Sequence, residues 1–538
     1  VSHMKLVEMN VRSFIDEENY VIVNYQNDTT DRDREKFFFK LVEDGITVNE
    51  AKVMMFTKFD RLHLKLEFIE GDKDKYSLPD DFLVSAIFLE DSTRTFHSFK
   101  CSTTHLEGRW DDIPKSEGSS ISKGETIYDT AMTLIGYGTD LLITRTKLEG
   151  VPRYLADNIG IPVFNAGDGK NEHPTQTILD LFTISEARDQ AFDGTSIAMV
   201  GDLSRGRTVH SLTKGMCRFK DIEFTFVAPD FLQMPKKYLD IIEKSGNSYS
   251  LVESIDELLS TKSPDIIYMT RLQIERYKDE LEKVRKASKN LSITDSDIER
   301  IGNACIMHPM PRDKYRPVIP KFLDRTPNAW YWRQSQNGMF TRMAEILMTA
   351  GIIGDDFEGE QFKKDSGAEP FYTDKRADGR KRTKKDYSIK PIMNGIVIDH
   401  IPEGKYDYAV RLIKKEFSIS GTENYGGEFS SPSRGGFKGI YMVSGMPNLE
   451  DSELLRLAAI VPGATYNFVQ NNRIISKKSL SLPHVVEKFE SIQCINPDCI
   501  TNPVILEIEP DENKFHKKDD MYECHYCGTM HRPEEIWK

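Results

Sequence analysis

The feature that most constrains the fold is an alternation of short apolar runs with helix-length intervals. Runs at 53–56, 84–89, 140–144 and 161–165 are each followed by a stretch long enough for a helix. A second series begins after Asp193-Gly194, with runs at 196–200, 223–227, 266–269 and 304–307. Such a pattern predicts parallel strands buried on both faces and covered by helices. Two consecutive parallel-sheet α/β domains follow, over 5–190 and 191–354. At the amino end, Asn27-Asp28-Thr29-Thr30 reads as a cap, and 31–40 as a charged helix. A closing helix is expected over 329–350, with Met339, Met343, Leu347 and Ala350 facing the core.

At 538 residues the chain is too long for one core, and its character changes after residue 354. The stretch 355–388 is charged and poor in aliphatics, and reads as a solvated linker. Its basic run, 380–385, belongs to that linker rather than to a nucleic-acid arm, because the chain carries a net charge of -13. Beyond it, alternating short strands and helices at 403–414 and 450–460 give an α+β domain over 389–485. A small β-rich unit occupies 486–538. No run of 18 apolar residues and no signal-like opening is present. A cytoplasmic protein with no membrane or nucleic-acid partner is therefore expected.

The first chemical sentence is Ser92-Thr93-Arg94-Thr95, directly after the apolar run that stops at Glu90-Asp91. Hydroxyls at the start of a helix, just past the carboxyl end of a strand, make an anion site from free N–H groups and the helix dipole. Arg94 adds a planar, permanently charged fork suited to phosphate. Arg145 follows another strand, and His173-Pro174-Thr175-Gln176 opens an apolar helix. His173 and Gln176 lie one turn apart and present neutral hydrogen-bonding groups on one face. Beside Arg94, Thr95 and Arg145 they suit a carbonyl oxygen that gains charge. In the second series Arg207, then Arg271 with Gln273, again follow strands and imply a substrate with more than one carboxylate. The loop His308-Pro309-Met310-Pro311 leaves backbone carbonyls free to accept from an amine. No GxGxxG fingerprint occurs, and no organic cofactor is expected.

Of the seven cysteines, Cys101, Cys217 and Cys305 are scattered and read as buried small side chains. Cys494, Cys499, Cys524 and Cys527 form a C-x4-C…C-x2-C set, which calls for one structural Zn2+ in a closed tetrahedral site.

The motifs STRT, SKGET, HPTQ, GRTVHS, TRLQ and HPMP, in this order over 8–352, resemble the catalytic chain of aspartate carbamoyltransferase. The resemblance implies transfer of the carbamoyl group of carbamoyl phosphate to L-aspartate, giving N-carbamoyl-L-aspartate and phosphate in pyrimidine biosynthesis. Ser92, Thr93, Arg94 and Thr95 would then hold the phosphate, and Arg145, His173 and Gln176 the carbamoyl end. Arg207, Arg271, Gln273 and Pro311 would hold aspartate, with Met310 touching both substrates. Ser119 and Lys123 would reach the active site of a neighbouring subunit in a trimer. Phe96 stands where the family usually has arginine, and Met310 where it usually has leucine. An ornithine-specific relative is the enzymatic alternative, and a zinc-ribbon assembly protein the non-enzymatic one.

From 389 to 532 the chain resembles the regulatory chain of the same family, through GIVIDHI, ATYNFVQNNRIISK and the cysteine set. ATP or CTP would then meet Asp399, His400, Lys438, Asn467 and Lys477. Met442 replaces a family lysine, and a Gly- and Ser-rich insertion at 425–436 alters the same face. A non-allosteric scaffold is the alternative for this region. Regulatory-type contacts would join two trimers, and their absence would leave one.

Overall fold

A computed structural model describes residues 77–113, 121–189, 191–271, 289–312, 317–352, 370–377, 392–420, 423–430, 436–502, 504–505, 507–508 and 512–538, with the backbone of three strands nearer the amino end. Those strands, β1 (Met9–Ile15), β2 (Val21–Asn27) and β3 (Phe37–Leu41), pair antiparallel in sequence order. β3 takes the place of the end of the helix expected over 31–40, where Phe37-Phe38-Phe39 favours a strand over the flanking charges. The strand expected at 53–56 lies outside the described residues. The chain divides into two compact units, Val1–Lys363 and Lys364–Lys538.

In the first unit, β4 (Leu83–Phe88), β5 (Arg109–Ile113), β6 (Leu141–Thr146) and β7 (Val163–Asp168) form a parallel sheet in the order β5-β4-β6-β7. β6 and β7 are buried along their whole length, which is why this sheet reads as continuous apolar runs. Its helices are α1 (Thr93–His105), α2 (Ile127–Gly136), α3 (Val151–Asn158) and α4 (Pro174–Ala187).

A second parallel sheet holds β8 (Ser196–Val200), β9 (Glu223–Val227), β10 (Ser248–Val252), β11 (Ile266–Met269) and β12 (Cys305–Met307), ordered β10-β9-β8-β11-β12. β10 is an edge strand with no buried residue, so no apolar run announces it. The described helices are α5 (Arg207–Met216), α6 (Lys236–Lys244), α7 (Ile255–Thr261), α8 (Ile298–Ile301) and α9 (Tyr331–Thr349).

The two sheets exchange helices. Ile178, Leu181, Phe182 and Ile184 of α4 join the core around β8 and β11. Met343, Ile346 and Leu347 of α9 return to the core around β4 and β6, with Met339 and Ala350 partly buried against it. Expected core residues Cys217 and Cys305 are buried, but Cys101 is exposed: it lies on the outer face of α1, whose buried side is Thr95, Phe99, Ser102 and Thr103.

The second unit opens with a six-stranded antiparallel sheet. Its strands are β13 (Tyr372–Asp374), β14 (Gly395–Ile401), β15 (Asn424–Ser430), β16 (Phe437–Ser444), β17 (Thr465–Gln470) and β18 (Arg473–Leu480), ordered β13-β18-β17-β14-β16-β15. Helices α10 (Tyr406–Glu416) and α11 (Asp451–Ile460) accompany it. β13 lies in the segment expected to be wholly solvated linker. Its Phe371-Tyr372-Thr373 sentence is strand-prone, and Lys478 Nζ sits 3.4 Å from the Tyr372 ring centre. The basic run 380–385 lies outside the described residues. The Gly- and Ser-rich insertion begins as a true edge strand, β15. A four-stranded antiparallel sheet follows, of β19 (Val485–Glu487), β20 (Lys514–Lys518), β21 (Met521–Cys524) and β22 (Met530–His531). Among the described residues, no helix is long and apolar enough to cross a membrane.

Candidate active site and metal centre

β4 delivers the chain to Glu90, and Ser92 caps α1 in an extended conformation without spending its side chain on the cap. The hydroxyl and the free N–H groups of the first turn remain available to an anion, and no acidic residue occupies that turn. Thr95 is buried, whereas Arg94 is exposed, although partial burial lowers the preference of its guanidinium for the charged form. The unusual Phe96 turns away into an aromatic cluster. Its ring centre lies 5.3 Å from Phe88 and 5.5 Å from Trp110, both edge-on.

At the end of β6, Arg145 is buried and donates from Nη1 to the carbonyl of Ala166 at 2.7 Å. The same nitrogen lies 3.3 Å from His173 Nε2. A guanidinium only donates, so the imidazole accepts here. Burial, then the charges of Arg145, Arg207 and Arg342, hold His173 well below the usual histidine range. It is the neutral group that the sequence called for.

Arg207 begins α5, and its Nη1 meets Glu90 Oε2 at 2.9 Å and the Gly169 carbonyl at 2.5 Å. Glu90 Oε2 also lies 3.2 Å from Arg145 Nη2. Gly167 permits this crowding: a Cβ there would stand 2.8 Å from Arg145 Nη1 and 3.3 Å from Arg207 Cζ. The turn beneath is organised by Asp168, whose carboxylate accepts from Gly150 N, Asn165, Asn171 and Glu172 N. Glu172 in turn binds Ser211 and, at 2.7 Å, Lys214 Nζ.

Gln176 donates from Nε2 to Asp180 Oδ1 at 2.9 Å. From the second sheet, the loop after β12 closes over the same region. His308 is fully buried, and burial with the charges of Arg94, Arg312 and Arg271 lowers it to about 3. Met310 adopts φ +56° and donates its backbone N–H to His308 Nδ1 at 2.7 Å. Arg271 is half-buried at the end of β11. The site thus gathers Arg94, Arg145, His173, Arg207 and the His308–Pro311 loop from both sheets. Lys123 stands apart, exposed on a short 3-10 turn. Among the described residues no hydrogen bond or ion pair ties it to that group. Ser119 and Gln273 lie outside the described residues.

Sequence reasoning missed Glu90, Asp168, Glu172 and Asp180. Glu90 and Asp180 carry a visible signal, since one lies two residues before the STRT corner and the other one helical turn beyond Gln176.

In the second unit, strand pairing puts Asp399 opposite Ile440, Val397 opposite both Met442 and Asn467, and Asn467 opposite Lys477. Alternation sets these side chains on one face with Lys438, whose Nζ lies 2.8 Å from Asp399 Oδ1. His400, at φ +64°, sits at the β14 irregularity with Nδ1 3.4 Å from Asp399 Oδ2. Met442 is 1% exposed and packs with Ile392, Ile440, Val469 and Ile474.

Cys494, Cys499, Cys524 and Cys527 are all buried, with sulfurs within 4.8 Å of one another. Two of the separations, Cys494–Cys527 at 3.6 Å and Cys499–Cys524 at 3.9 Å, match the edge of a tetrahedron with Zn–S bonds of about 2.3 Å. The four thiolates form a structural zinc site and leave no open position for a substrate. His531 Nε2 lies 3.4 Å from Cys494 Sγ, outside the four-sulfur set.

Family models match four successive segments of the chain. Residues 59–186 match the aspartate/ornithine carbamoyltransferase carbamoyl-P binding domain, and 193–349 the Asp/Orn binding domain. The aspartate carbamoyltransferase regulatory chain matches at 387–481 (allosteric domain) and 484–537 (metal binding domain). Protein PyrBI of Treponema denticola is 37% identical over 524 residues, covering 92% of this chain and 97% of that one. Protein PyrBI of Thermotoga maritima is 36% identical, covering 84% and 89%. Among solved structures, the catalytic subunit of M. jannaschii aspartate transcarbamoylase is similar at 33% identity and a TM-score of 0.50, over 59% of this chain and 100% of that one. The chain belongs to the aspartate carbamoyltransferase family, with catalytic and regulatory chains joined in one polypeptide, and it is an enzyme that transfers the carbamoyl group of carbamoyl phosphate to aspartate.

Proposed function

We propose the following division of labour for that reaction. Ser92, Thr93, Arg94 and Thr95 hold the phosphate at the start of α1. Arg94, Thr95, Arg145 and His173 face the carbamoyl oxygen, and Gln176 with the Met310 loop takes the carbamoyl amine. Arg207, Arg271 and Gln273 hold the two carboxylates of aspartate, with Pro311 closing the pocket. The aspartate amine forms a bond to the carbamoyl carbon, the C–O bond to phosphate breaks, and the departing phosphate takes the proton that the amine loses. Orientation and fixed positive charge supply the rate, since no side chain needs to form a covalent bond. The observation that carries this reading is the cluster in which Arg145 meets His173 while Arg145 and Arg207, from the two sheets, share one oxygen of Glu90.

The domain limits proposed with it are 5–190, 191–354, 389–485 and 486–538, with the expected linker 355–388 shortened because β13 pairs with β18 and so belongs to the third domain. Ser119 and Lys123 serve a neighbouring subunit of a trimer, which the exposure of Lys123 supports. Mixed trimers test it. Arg94→Ala and Lys123→Ala trimers are each nearly inactive, and dissociation, mixing and reassembly restores activity in proportion to the intact composite sites. Verified mixed trimers as inactive as their parents would refute the shared site.

For the second unit, the face bearing Asp399, His400, Lys438, Asn467 and Lys477 takes ATP or CTP. The burial of Met442 among aliphatics favours a second reading, a scaffold that only holds two trimers together. Titrating each nucleotide against the aspartate saturation curve separates them, because a scaffold leaves the curve unmoved.

A further inference from the structure

Asp180 is fully buried on α4, one turn beyond Gln176, and receives three hydrogen bonds from three elements. Oδ1 accepts from Gln176 Nε2 at 2.9 Å and from Gln334 Nε2 of α9 at 2.6 Å. Oδ2 accepts from the Tyr268 hydroxyl of β11 at 2.7 Å. None of these donors is a cation. A carboxylate in such a place costs free energy that an apolar side chain would not. Burial raises it to about 7, against the pull of those three donors; in the ionised form that they favour it only accepts, so it dictates which end of each neighbouring amide turns toward it.

The consequence reaches two amides at once. With Nε2 tied to Asp180, Gln176 turns its Oε1 the other way, as an acceptor. With its own Nε2 tied to the same oxygen, Gln334 turns Oε1 to the backbone N–H of His308, which it meets at 2.7 Å. His308 Nδ1 then takes the Met310 N–H. A short chain of hydrogen bonds therefore runs from Gln176 through Asp180 and Gln334 to the loop after β12.

We propose that Asp180 is a positioning residue that fixes the polarity of Gln176 and, through Gln334, the His308–Pro311 loop, so that the carbamoyl amine meets acceptors from both sheets. This rests on the assignment of Gln176 to the carbamoyl end. Asp180 touches neither substrate. Its effect falls on the part of carbamoyl phosphate that inorganic phosphate lacks, and this separates positioning from general support of the fold.

The test uses the full-length chain. Carbamoyl phosphate affinity and the inhibition constant of inorganic phosphate are measured for Asp180→Ala, Asp180→Asn, Gln334→Met and Gln176→Ala, alongside the unaltered protein. Asp180→Ala weakens carbamoyl phosphate about tenfold, as expected for one misdirected buried hydrogen bond, and moves phosphate less than about threefold. Asp180→Asn restores the ratio, because its carbonyl can serve both glutamines while its amide donates to the Tyr268 hydroxyl. If Asp180→Ala fails to fold, Gln334→Met carries the test with the same split. Equal losses for both ligands, or none for carbamoyl phosphate, in the folded variant overturn the proposal. If Gln176→Ala alone shows the split, only the role of Asp180 falls. If Gln176→Ala leaves the ratio unchanged, the assignment of Gln176 falls and the proposal with it.

Discussion

Arg207 Nη1 lies 2.9 Å from Glu90 Oε2, joining the first residue of α5 to the residue just beyond β4. The pair is largely shielded, with side chains 13% and 21% exposed, so solvent screens it only in part. Glu90→Gln removes the charge that holds Arg207. A charge-assisted bond of this kind is worth about 1.5–3 kcal/mol, so the KM for aspartate rises roughly tenfold or more. Steady-state kinetics with each substrate varied in turn check it, and an unchanged aspartate KM contradicts it.

Phe96 is a packing residue. Phe96→Ala removes ring contacts with Phe88 and Trp110 and lowers the stability of the first unit by about 1–3 kcal/mol, because the ring is only partly buried. The turnover of the folded variant stays within about twofold, since the ring faces away from the pocket. Thermal denaturation and saturated rates measure the two effects separately.

How far the sequence carries is clearest at α1 and α9. The STRT corner was legible because strand end, hydroxyls and helix start are local signals, and the structure puts them at the N-terminus of α1. The core face of α9 was legible from its spacing, but its destination was not, because periodicity says which face is buried and not against which sheet. β13 was hidden by its charged surroundings. It exists through pairing with β18, a partner more than a hundred residues away. Asp180 was passed over for a similar reason. An acidic residue on an apolar helix gains a role only when Tyr268 and Gln334 arrive from elsewhere in the chain.

Cys524→Ala breaks the four-thiolate set. Zinc is released and the β19–β22 sheet unfolds, because metal binding is part of the folding free energy of so small a unit. Carbamoyl transfer persists at least in part, since every proposed substrate ligand precedes residue 355. Metal content, circular dichroism and activity of the same sample follow the three consequences. Complete loss of activity in a variant with a native-like catalytic trimer contradicts a purely structural role.

Glu345 on α9 is buried, its two carboxylate oxygens have no hydrogen-bond partner among the described residues, and burial pushes it up to about 8, with Arg342 pulling the other way. Between the ordinary carboxylate range and pH 8 the folded chain therefore holds a proton that the unfolded chain has lost. Stability from this group falls as pH rises through that window and levels off above it. Glu345→Gln mimics the protonated form. It leaves stability near pH 5 little changed and raises it near pH 9 by on the order of 1–3 kcal/mol. Melting curves at the two pH values read the difference, and an equal shift at both contradicts it.

The central claim is that this chain carbamoylates aspartate. The most direct measurement is phosphate release from carbamoyl phosphate by the purified full-length protein, with L-aspartate and L-ornithine offered separately. Arg207 and Arg271 suit a second substrate bearing two carboxylates and repel a cationic side chain. Release that saturates with aspartate, yields N-carbamoyl-L-aspartate in equal amount and is negligible with ornithine is the predicted result. A preference for ornithine, or no release with either, contradicts it.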